Sequence, residues 1–193
     1  MTHDPLLKYR EQHKHRLNYM PWLYWSLKPK HREWAEEWQK EYQNYLMEME
    51  TVEIGNNCFI SPLAHIFAER GRKITIGDNT FIAADCTLHG PLEIGSEVAI
   101  NHHCILDGGR AGIKLHDQVR IAAYSHLYAF DHGMDLDRPI YQQAVRSLGI
   151  EIGRDVWLGA HVGIKDGIKV GDHAVIGMNS MITKDVEPHA IMA

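Results

Sequence analysis

The sequence has few of the features that mark several large classes of protein. Three cysteines among 193 residues are too few and too scattered for a disulfide framework or a zinc ribbon. Lysine and arginine number 20 against 25 acidic residues, so the formal charge of −5 provides no basic surface for nucleic acid. No apolar run reaches the roughly 18 residues of a membrane span, and residues 1–10 lack the apolar core of a signal peptide. We therefore expect a protein of the reducing cytoplasm.

Glycine is absent from the first 50 residues, which contain four of the five tryptophans. Asp4-Pro5 predicts a helix start, because a capping side chain precedes a proline at the first helical position. From His31 onward, the spacing of three or four residues predicts an amphipathic helix with a stripe of Trp34, Trp38, Tyr42, Tyr45, Leu46 and Met49. We interpret residues 1–50 as a helical cap whose stripe packs on the end of the following domain.

From residue 51 onward, aliphatic residues recur every six positions. Eighteen such hexads begin with Ile, Leu or Val, and fifteen of them have a small or aliphatic fifth residue. Two inward positions separated by turn-forming residues predict one short strand and one corner per hexad. Extra residues follow Ile66, Leu106 and Leu127, each time after a multiple of three hexads. Residues 51–193 are therefore predicted to form a β-solenoid of about six triangular coils, with a long excursion over residues 128–149.

Four segments of the repeat have a distinctive sequence. They are Asn101–Gly109, Asp131-His132 with Asp135–Ile140, Ile152–Gly159 and Ile182–Val186. In this order they resemble the hexapeptide-repeat acyltransferases, and among these the galactoside and maltose O-acetyltransferases and related polysaccharide O-acetyltransferases. The resemblance implies a mainly β fold, a left-handed parallel β-helix, preceded by the helical cap. It also implies acetyl transfer from acetyl-CoA to a sugar or glycan hydroxyl in a homotrimer with active sites between subunits.

Such a reaction requires a base at the acceptor hydroxyl. His132 lies in the long excursion at the position of the family's base, and the alternative is an exposed loop histidine. The resemblance implies that Asn101 holds the acceptor, although asparagine there could instead be a left-handed corner residue. Asp107 either contacts the acceptor or forms the turn before Gly108. His126 points outward and is a further candidate, either for the acceptor pocket or for a surface between subunits.

A second group of residues resembles the CoA site of the family. Trp157 occupies an outward position and is implied to lie beside the pantetheine arm, with packing against a neighbouring subunit as the alternative. Ala160 and Gly177 are small, so their backbone amides are implied to approach that arm and to stabilise the thioester oxyanion. Thr183 and Lys184 match the family's pair near the nucleotide end of CoA. The alternative for Lys184 is an ordinary solvated lysine.

Two features depart from the family pattern. Met178 stands where the family commonly has alanine, and it either crowds the CoA arm or packs against it. The Gly-x-Pro-Ala segment and basic tail that usually follow are absent from these 193 residues. Two other functions stay open: a zinc enzyme of the carbonic anhydrase class on the same fold, and a non-catalytic scaffold trimer. We expect no metal, because the Arg-x-Asp and paired-glutamine pattern of the zinc class is missing.

The cysteines bear on the mechanism. Cys58, Cys86 and Cys104 all occupy inward fifth positions of their hexads. Buried thiols behave as small apolar groups with a raised pKa and not as nucleophiles. We therefore expect direct acetyl transfer in a ternary complex, without a covalent acyl-cysteine intermediate.

Overall fold

The N-terminal part of the chain is helical. The computed structural model describes residues 5–192, so Asp4 of the expected helix start lies outside the described residues. Helix α1 spans Pro5–Tyr19, a 3₁₀ helix spans Pro21–Ser26, and helix α2 spans Pro29–Met49. Pro21 and Pro29 each begin a helix, where a missing N–H breaks no helical hydrogen bond. The predicted N-terminal helices are confirmed.

The following residues form short strands at hexad intervals. Each strand is two or three residues long, since each hexad supplies one strand and one corner. In chain order the strands are β1 (Val52–Ile54), β2 (Phe59–Ile60), β3 (His65–Phe67), β4 (Ile74–Ile76), β5 (Phe81–Ile82), β6 (Thr87–His89), β7 (Leu92–Ile94), β8 (Ala99–Ile100), β9 (Ile105–Asp107), β10 (Ile113–Leu115), β11 (Arg120–Ile121), β12 (His126–Tyr128), β13 (Asp131–His132), β14 (Val145–Arg146), β15 (Ile150–Ile152), β16 (Trp157–Leu158), β17 (Gly163–Ile164), β18 (Lys169–Val170), β19 (Val175–Ile176), β20 (Met181–Ile182) and β21 (Ile191–Met192).

Parallel pairing assembles the strands into three faces of one solenoid. Face A contains β1, β4, β7, β10, β15 and β18; face B contains β2, β5, β8, β11, β16, β19 and β21; face C contains β3, β6, β9, β12, β17 and β20. The register places each leading residue over that of the next coil, as in Ile54, Ile76 and Ile94. Leading and fifth residues form most of one continuous buried core. The prediction of about six parallel coils is confirmed, and β21 begins a seventh by pairing with β19.

All three insertions leave the solenoid at the corner between faces C and A. They are residues 68–73, 108–112 and 129–149. The longest contains an antiparallel hairpin of β13 and β14, in which Asp131 pairs with Arg146 and His132 with Val145. Their shared exit confirms that three hexads make one coil.

A left-handed backbone marks the fourth residue of many hexads. At the corner between faces B and C these residues have φ between 57° and 64°, and they are Asp85, His103, Tyr124, His161 and Asn179. Asn101 occupies a second position and is not among the residues with positive φ. The interpretation of Asn101 as a left-handed corner residue is therefore wrong, because His103 makes the corner in its coil.

Helix α2 covers the first coil. Its Leu46 packs in the core with Val52. Gln39 is buried and seals the edge of β2: its Oε1 accepts a hydrogen bond from the Ile60 N–H at 2.8 Å, and its Nε2 donates to the Ile60 carbonyl at 3.1 Å. An open strand edge is thereby removed from solvent.

The cap also covers part of the outer surface of face B. Ring contacts join Tyr24 and Trp38 to Phe59, and Trp25 to Phe81. The predicted stripe of α2 is wider than the surface it contacts, because Tyr45 and Met49 remain 56% and 65% exposed. The cap therefore packs against one end of the solenoid and against the first coils of one face.

Replacing Gln39 with leucine is expected to lower the free energy of unfolding by about 1–3 kcal/mol, because the Ile60 amide and carbonyl lose their partner. Urea unfolding would measure the change. Gln12→Leu, at an exposed position of α1, is the matched control and should stay within about 0.5 kcal/mol of the parent protein. Equal losses in both variants would contradict the role of Gln39 at the strand edge.

Candidate functional site

Four of the predicted site residues lie along the corner between faces B and C, which we call the B–C edge. Asn101 directly follows β8, Ala160 lies two residues after β16, and Gly177 and Met178 follow β19. Asn101 belongs to the third coil and Gly177 to the sixth, so they lie about 14 Å apart along the solenoid at about 4.8 Å per coil. The fold therefore aligns the acceptor candidate with three CoA candidates.

The side chain of Asn101 is held by the next coil. Its Nδ2 donates a hydrogen bond to the Ile121 carbonyl at 2.9 Å, while its own carbonyl accepts one from Cys86 Sγ at 3.0 Å. Within residues 5–192 its Oδ1 has no hydrogen-bond partner, and the residue is partly exposed. The carboxamide oxygen is thus an oriented acceptor for a ligand hydroxyl.

An apolar surface lies beside the B–C edge in the fifth and sixth coils. Trp157 is 52% exposed on the outer surface of face B, and Met178 is 65% exposed at the edge itself. Val175, in register with Trp157, is also partly exposed. An open indole on face B and a flexible thioether at the edge one coil further on are apolar groups along which an extended, mainly apolar arm could lie.

The two predicted amide donors differ in their availability. The Ala160 N–H has no hydrogen-bond partner in the described part of the chain, whereas the Gly177 N–H donates to the Met192 carbonyl at 2.6 Å. The prediction that the Gly177 amide faces a ligand is wrong in this structure, because the seventh coil uses that donor. Ala160 retains an open amide next to the Trp157 surface, where it could stabilise negative charge on a carbonyl oxygen.

Asp107 serves the local turn and also lines a cavity. Its Oδ1 accepts a hydrogen bond from the Gly109 N–H at 3.0 Å. This bond is the one expected if Asp107 forms the turn before Gly108. Its Oδ2 lies 3.4 Å from His89 Nδ1, and His89 Nε2 lies 3.2 Å from Glu69 Oε1. Asp107, His89 and Arg110 line a cavity of about 330 Å³ beside the long insertion. A ligand there would meet both a carboxylate and a guanidinium.

His126 points outward from face C in the fourth coil. Gly163 follows it in register, and a Cβ there would lie 2.8 Å from His126 Nε2 and 2.7 Å from Met181 Sδ. Glycine therefore leaves the space in which these two side chains meet. The predicted outward orientation is confirmed, and the packing leaves His126 only partly exposed.

His132 lies at the opposite end of face C, on the hairpin that leaves the corner between faces C and A. The hairpin is tied to the fifth coil by an ion pair between Asp131 and Lys165 at 2.9 Å. His132 is exposed and lines a cavity of about 320 Å³. Asn101 lines a different cavity, so a single chain does not bring these two residues together.

Thr183 and Lys184 are also separated from the B–C edge. They directly follow β20 and therefore lie at the corner between faces C and A, as the His132 hairpin does. Both are exposed, and Lys184 has no ion-pair partner among residues 5–192. The predicted CoA residues thus divide into one group beside Trp157 and another at the far corner.

The structure adds a stack of rings that hexad spacing alone does not predict. His103, Tyr124 and His161 stack through their ring planes, with centroids 4.7 and 4.9 Å apart and interplanar angles of 14° and 5°. Asp85 lies at the end of this stack, with its Oδ2 3.6 Å from His103 Nε2. Asp85 also interacts with Tyr19, the last residue of α1, and a hydrogen bond between their side chains raises the pKa of Tyr19. The sequence signal is a ring residue at the fourth position of the hexad that makes this corner in each of three successive coils.

His102, the residue after Asn101, is less exposed than its outward position suggests. Its Nδ1 is buried and has no hydrogen-bond partner among residues 5–192. Burial, aided by nearby His103, lowers the pKa of His102. The imidazole therefore favours its neutral form and adds no positive charge beside Asn101.

All three cysteines are buried and unpaired, as their fifth positions predict. Burial raises the pKa of Cys58, and contact with Cys104 together with burial raises the pKa of Cys86. Residues 5–192 contain no group of three His, Cys, Asp or Glu side chains arranged to hold a metal ion. In the same range, no helix is both long and apolar enough to cross a membrane.

The folded protein is expected to resist modification by a thiol reagent such as DTNB at pH 8, since all three thiols are buried and the pKa values of Cys58 and Cys86 are raised. Absorbance of the released thiolate would report the reaction. The same protein in guanidinium chloride is the control and should react at all three cysteines. Rapid modification of the folded form would contradict an inert role for the cysteines.

Comparison with known proteins finds similarity to bacterial acyltransferases. Residues 149–184 match the model of the bacterial transferase hexapeptide with six repeats. The chain is 28% identical over 142 residues to galactoside O-acetyltransferase of Escherichia coli (strain K12), and this alignment covers 72% of this chain and 58% of the relative. It is 32% identical over 109 residues to a chloramphenicol acetyltransferase of Morganella morganii, covering 54% and 51%. The chain thus spans between half and three fifths of the length of these relatives.

Solved structures give the same fold. A mutant of AntD, an N-acyltransferase from Bacillus cereus in complex with dTDP and coenzyme A, matches with a TM-score of 0.68 and 26% identity, covering 77% of this chain and 82% of that one. Galactoside acetyltransferase in complex with coenzyme A matches with a TM-score of 0.51 and 21% identity, covering 99% and 79%. The second match supports the fold alone, which is the left-handed β-helix of acetyltransferases.

Proposed function

We propose that this chain, which is similar to the hexapeptide-repeat transferases, is a member of that family and transfers an acetyl group from acetyl-CoA to a hydroxyl of a sugar or glycan. The B–C edge carries the proposal: the oriented Asn101 Oδ1 and the open Ala160 N–H lie on one line beside exposed Trp157. The matching AntD solenoid, which holds coenzyme A, supports the donor. The unpaired buried thiols fit the reducing cytoplasm, where we place the protein.

In the proposed reaction, the acceptor binds at the third coil, where Asn101 Oδ1 accepts a hydrogen bond from one of its hydroxyls. The unprotonated imidazole of His132 takes the proton of the attacking hydroxyl as its oxygen bonds to the thioester carbonyl. The Ala160 N–H donates to the resulting oxyanion. When the carbon–sulfur bond breaks, the proton passes from His132 to the sulfur of CoA. The reaction is direct, because the buried cysteines offer no accessible nucleophile.

Acetyl-CoA lies along the fifth and sixth coils in this proposal. Trp157 and Met178 flank the pantetheine arm. Gly177 leaves room for the arm because it has no side chain, and its amide takes no part because it donates to the Met192 carbonyl. Thr183 and Lys184 stand at the other corner, so they meet the nucleotide end of a CoA bound beside a neighbouring protomer. A lysine ammonium without an ion-pair partner is suited to a phosphate there.

We propose a homotrimer in which His132 of one protomer meets Asn101 of the next. The two residues occupy opposite ends of face C and line separate cavities, so each chain supplies one half of a site. In a ring of three copies, each chain uses both ends and every site is complete. Asp107 and His126 lie on the face between those ends, where the acceptor would contact them.

His132→Ala is expected to lower kcat by about 10²- to 10⁴-fold, because the hydroxyl loses its base, while the KM for acetyl-CoA changes little. Release of CoA thiol in the presence of acceptor sugars would measure the rate. His116→Ala, which removes a histidine paired with Glu151 away from the B–C edge, is the control. Equal rates for the His132 variant and the parent would exclude His132 as the base.

Subunit complementation tests the shared site. The His132→Ala and Asn101→Ala variants are each expected to be nearly inactive, but trimers formed from an equal mixture should regain about a quarter of the parent activity. The reason is that random assembly pairs an intact His132 with an intact Asn101 at one site in four. Sedimentation would confirm the trimer, and each variant refolded alone is the control. A mixture no more active than its components would contradict shared sites.

A further inference from the structure

A cavity of about 440 Å³ lies between the 3₁₀ helix of the cap and the outer surface of face B. Trp22, Trp25 and Phe81 form its apolar walls, and Asn101 stands at its boundary. We propose that this cavity is a saccharide subsite, which binds a neutral sugar unit of the acceptor adjacent to the unit that is acetylated. The inference rests on the proposed function through Asn101 and names the acceptor as a glycoside or oligosaccharide.

The cavity originates in a step in side-chain size along face B. The outward residues of successive coils are Phe59, Phe81, Ala99 and Arg120. The cap packs on the two phenylalanines and also buries Ala99, which is 2% exposed. Because alanine is much smaller than phenylalanine, a recess lined by Ala99 remains between the cap and the third coil. Its volume lies within the range of about 300–1,000 Å³ that is usual for small-ligand sites.

One wall of the recess is a rigid pair of rings, and the other is an open indole. Trp25 contacts Phe81 with centroids 6.1 Å apart, which holds both rings in place. Trp22 is 50% exposed, and no aromatic or cationic group within residues 5–192 contacts its ring. An open indole presents a large rigid apolar surface with a polar edge, which suits the apolar C–H surface of a sugar ring.

The polar groups of the cavity offer both donors and acceptors. Arg120 Nη1 donates to the Glu97 carbonyl at 2.5 Å, and Gln118 Nε2 donates to Glu97 Oε2 at 2.8 Å, so Glu97 Oε1 keeps its capacity as an acceptor. Asn79 Oδ1 accepts a hydrogen bond from Asn57 Nδ2 at 2.7 Å, so its own Nδ2 remains a donor. One guanidinium and one carboxylate balance in charge. The set therefore suits a neutral polyol better than an anion.

The position of Asn101 gives the order of the sugar units. Its oriented Oδ1 holds the unit that reacts, and the walls of Trp22 and Trp25 lie on the side toward the cap. A sugar ring in the recess is therefore the neighbouring unit. A monosaccharide would leave the recess to water, so the cavity should favour longer acceptors.

Binding and turnover with maltose, lactose and cellobiose, each compared with its methyl monosaccharide, test the proposal. Calorimetry should show that the disaccharide that reacts best binds more tightly than its monosaccharide. Trp22→Ala should weaken disaccharide binding about three- to tenfold, with little change for the monosaccharide or for the KM of acetyl-CoA. Ala99→Phe, which fills the recess from the outer side of the solenoid, should have the same selective effect.

Tyr9→Ala is the control, because Tyr9 is a similarly exposed aromatic residue of α1, at 58%, outside the cavity. Disaccharide affinity that is unchanged in both Trp22→Ala and Ala99→Phe would overturn the subsite, and so would preferential binding of chloramphenicol as an aromatic ligand. Saccharide binding that depends on Trp22, without acetyl transfer to any sugar, would refute the proposed function and leave the subsite standing. Acetyl transfer to sugars at a rate that Trp22→Ala does not change for any acceptor would refute the subsite and leave the proposed function standing.

Discussion

Hydrogen bonding between successive coils is the constraint on which the rest of this structure depends. Each strand pairs in parallel with the strand one coil away, so equivalent hexad positions repeat at about 4.8 Å. Leading residues consequently stack on leading residues, as Ile54, Ile76 and Ile94 do, and bury one another without a separate core element. The corners follow the same repeat. Every line of side chains on the surface is therefore a line of equivalent positions.

This repeat explains why chemical groups collect along edges. At the B–C edge the left-handed corner residues bring His103, Tyr124 and His161 into a ring stack without any local aromatic motif. Asn101 is the second residue of its hexad and Ala160 is the third residue of its own, so both lie along the same edge of the solenoid. A long ligand such as coenzyme A suits a line of this kind, because each coil can add one contact. The solenoid thus acts as a straight scaffold on which site residues take fixed intervals.

Much of the fold could be predicted because the hexad is a short-range pattern with a direct geometric meaning. Inward positions demand apolar residues, and the insertions revealed the number of faces. The same pattern identified the cysteines as buried residues. It failed for the Gly177 amide, because the hydrogen-bond partner Met192 belongs to a seventh coil that the regular hexads do not include. It also failed for Asn101 as a corner residue, since the left-handed conformation belongs to the fourth position.

The sequence by itself determined the solenoid, its coil number, the exit corner of the long hairpin and the inward or outward orientation of most side chains. These properties depend only on periodicity, and one coil specifies the next. Only the tertiary structure decided that Asn101 and His132 line separate cavities and that the cap leaves a recess beside Ala99. The physical reason is that such juxtapositions depend on how non-repeating parts, a cap and a hairpin, pack against a repeating surface. No periodicity relates those parts to each other.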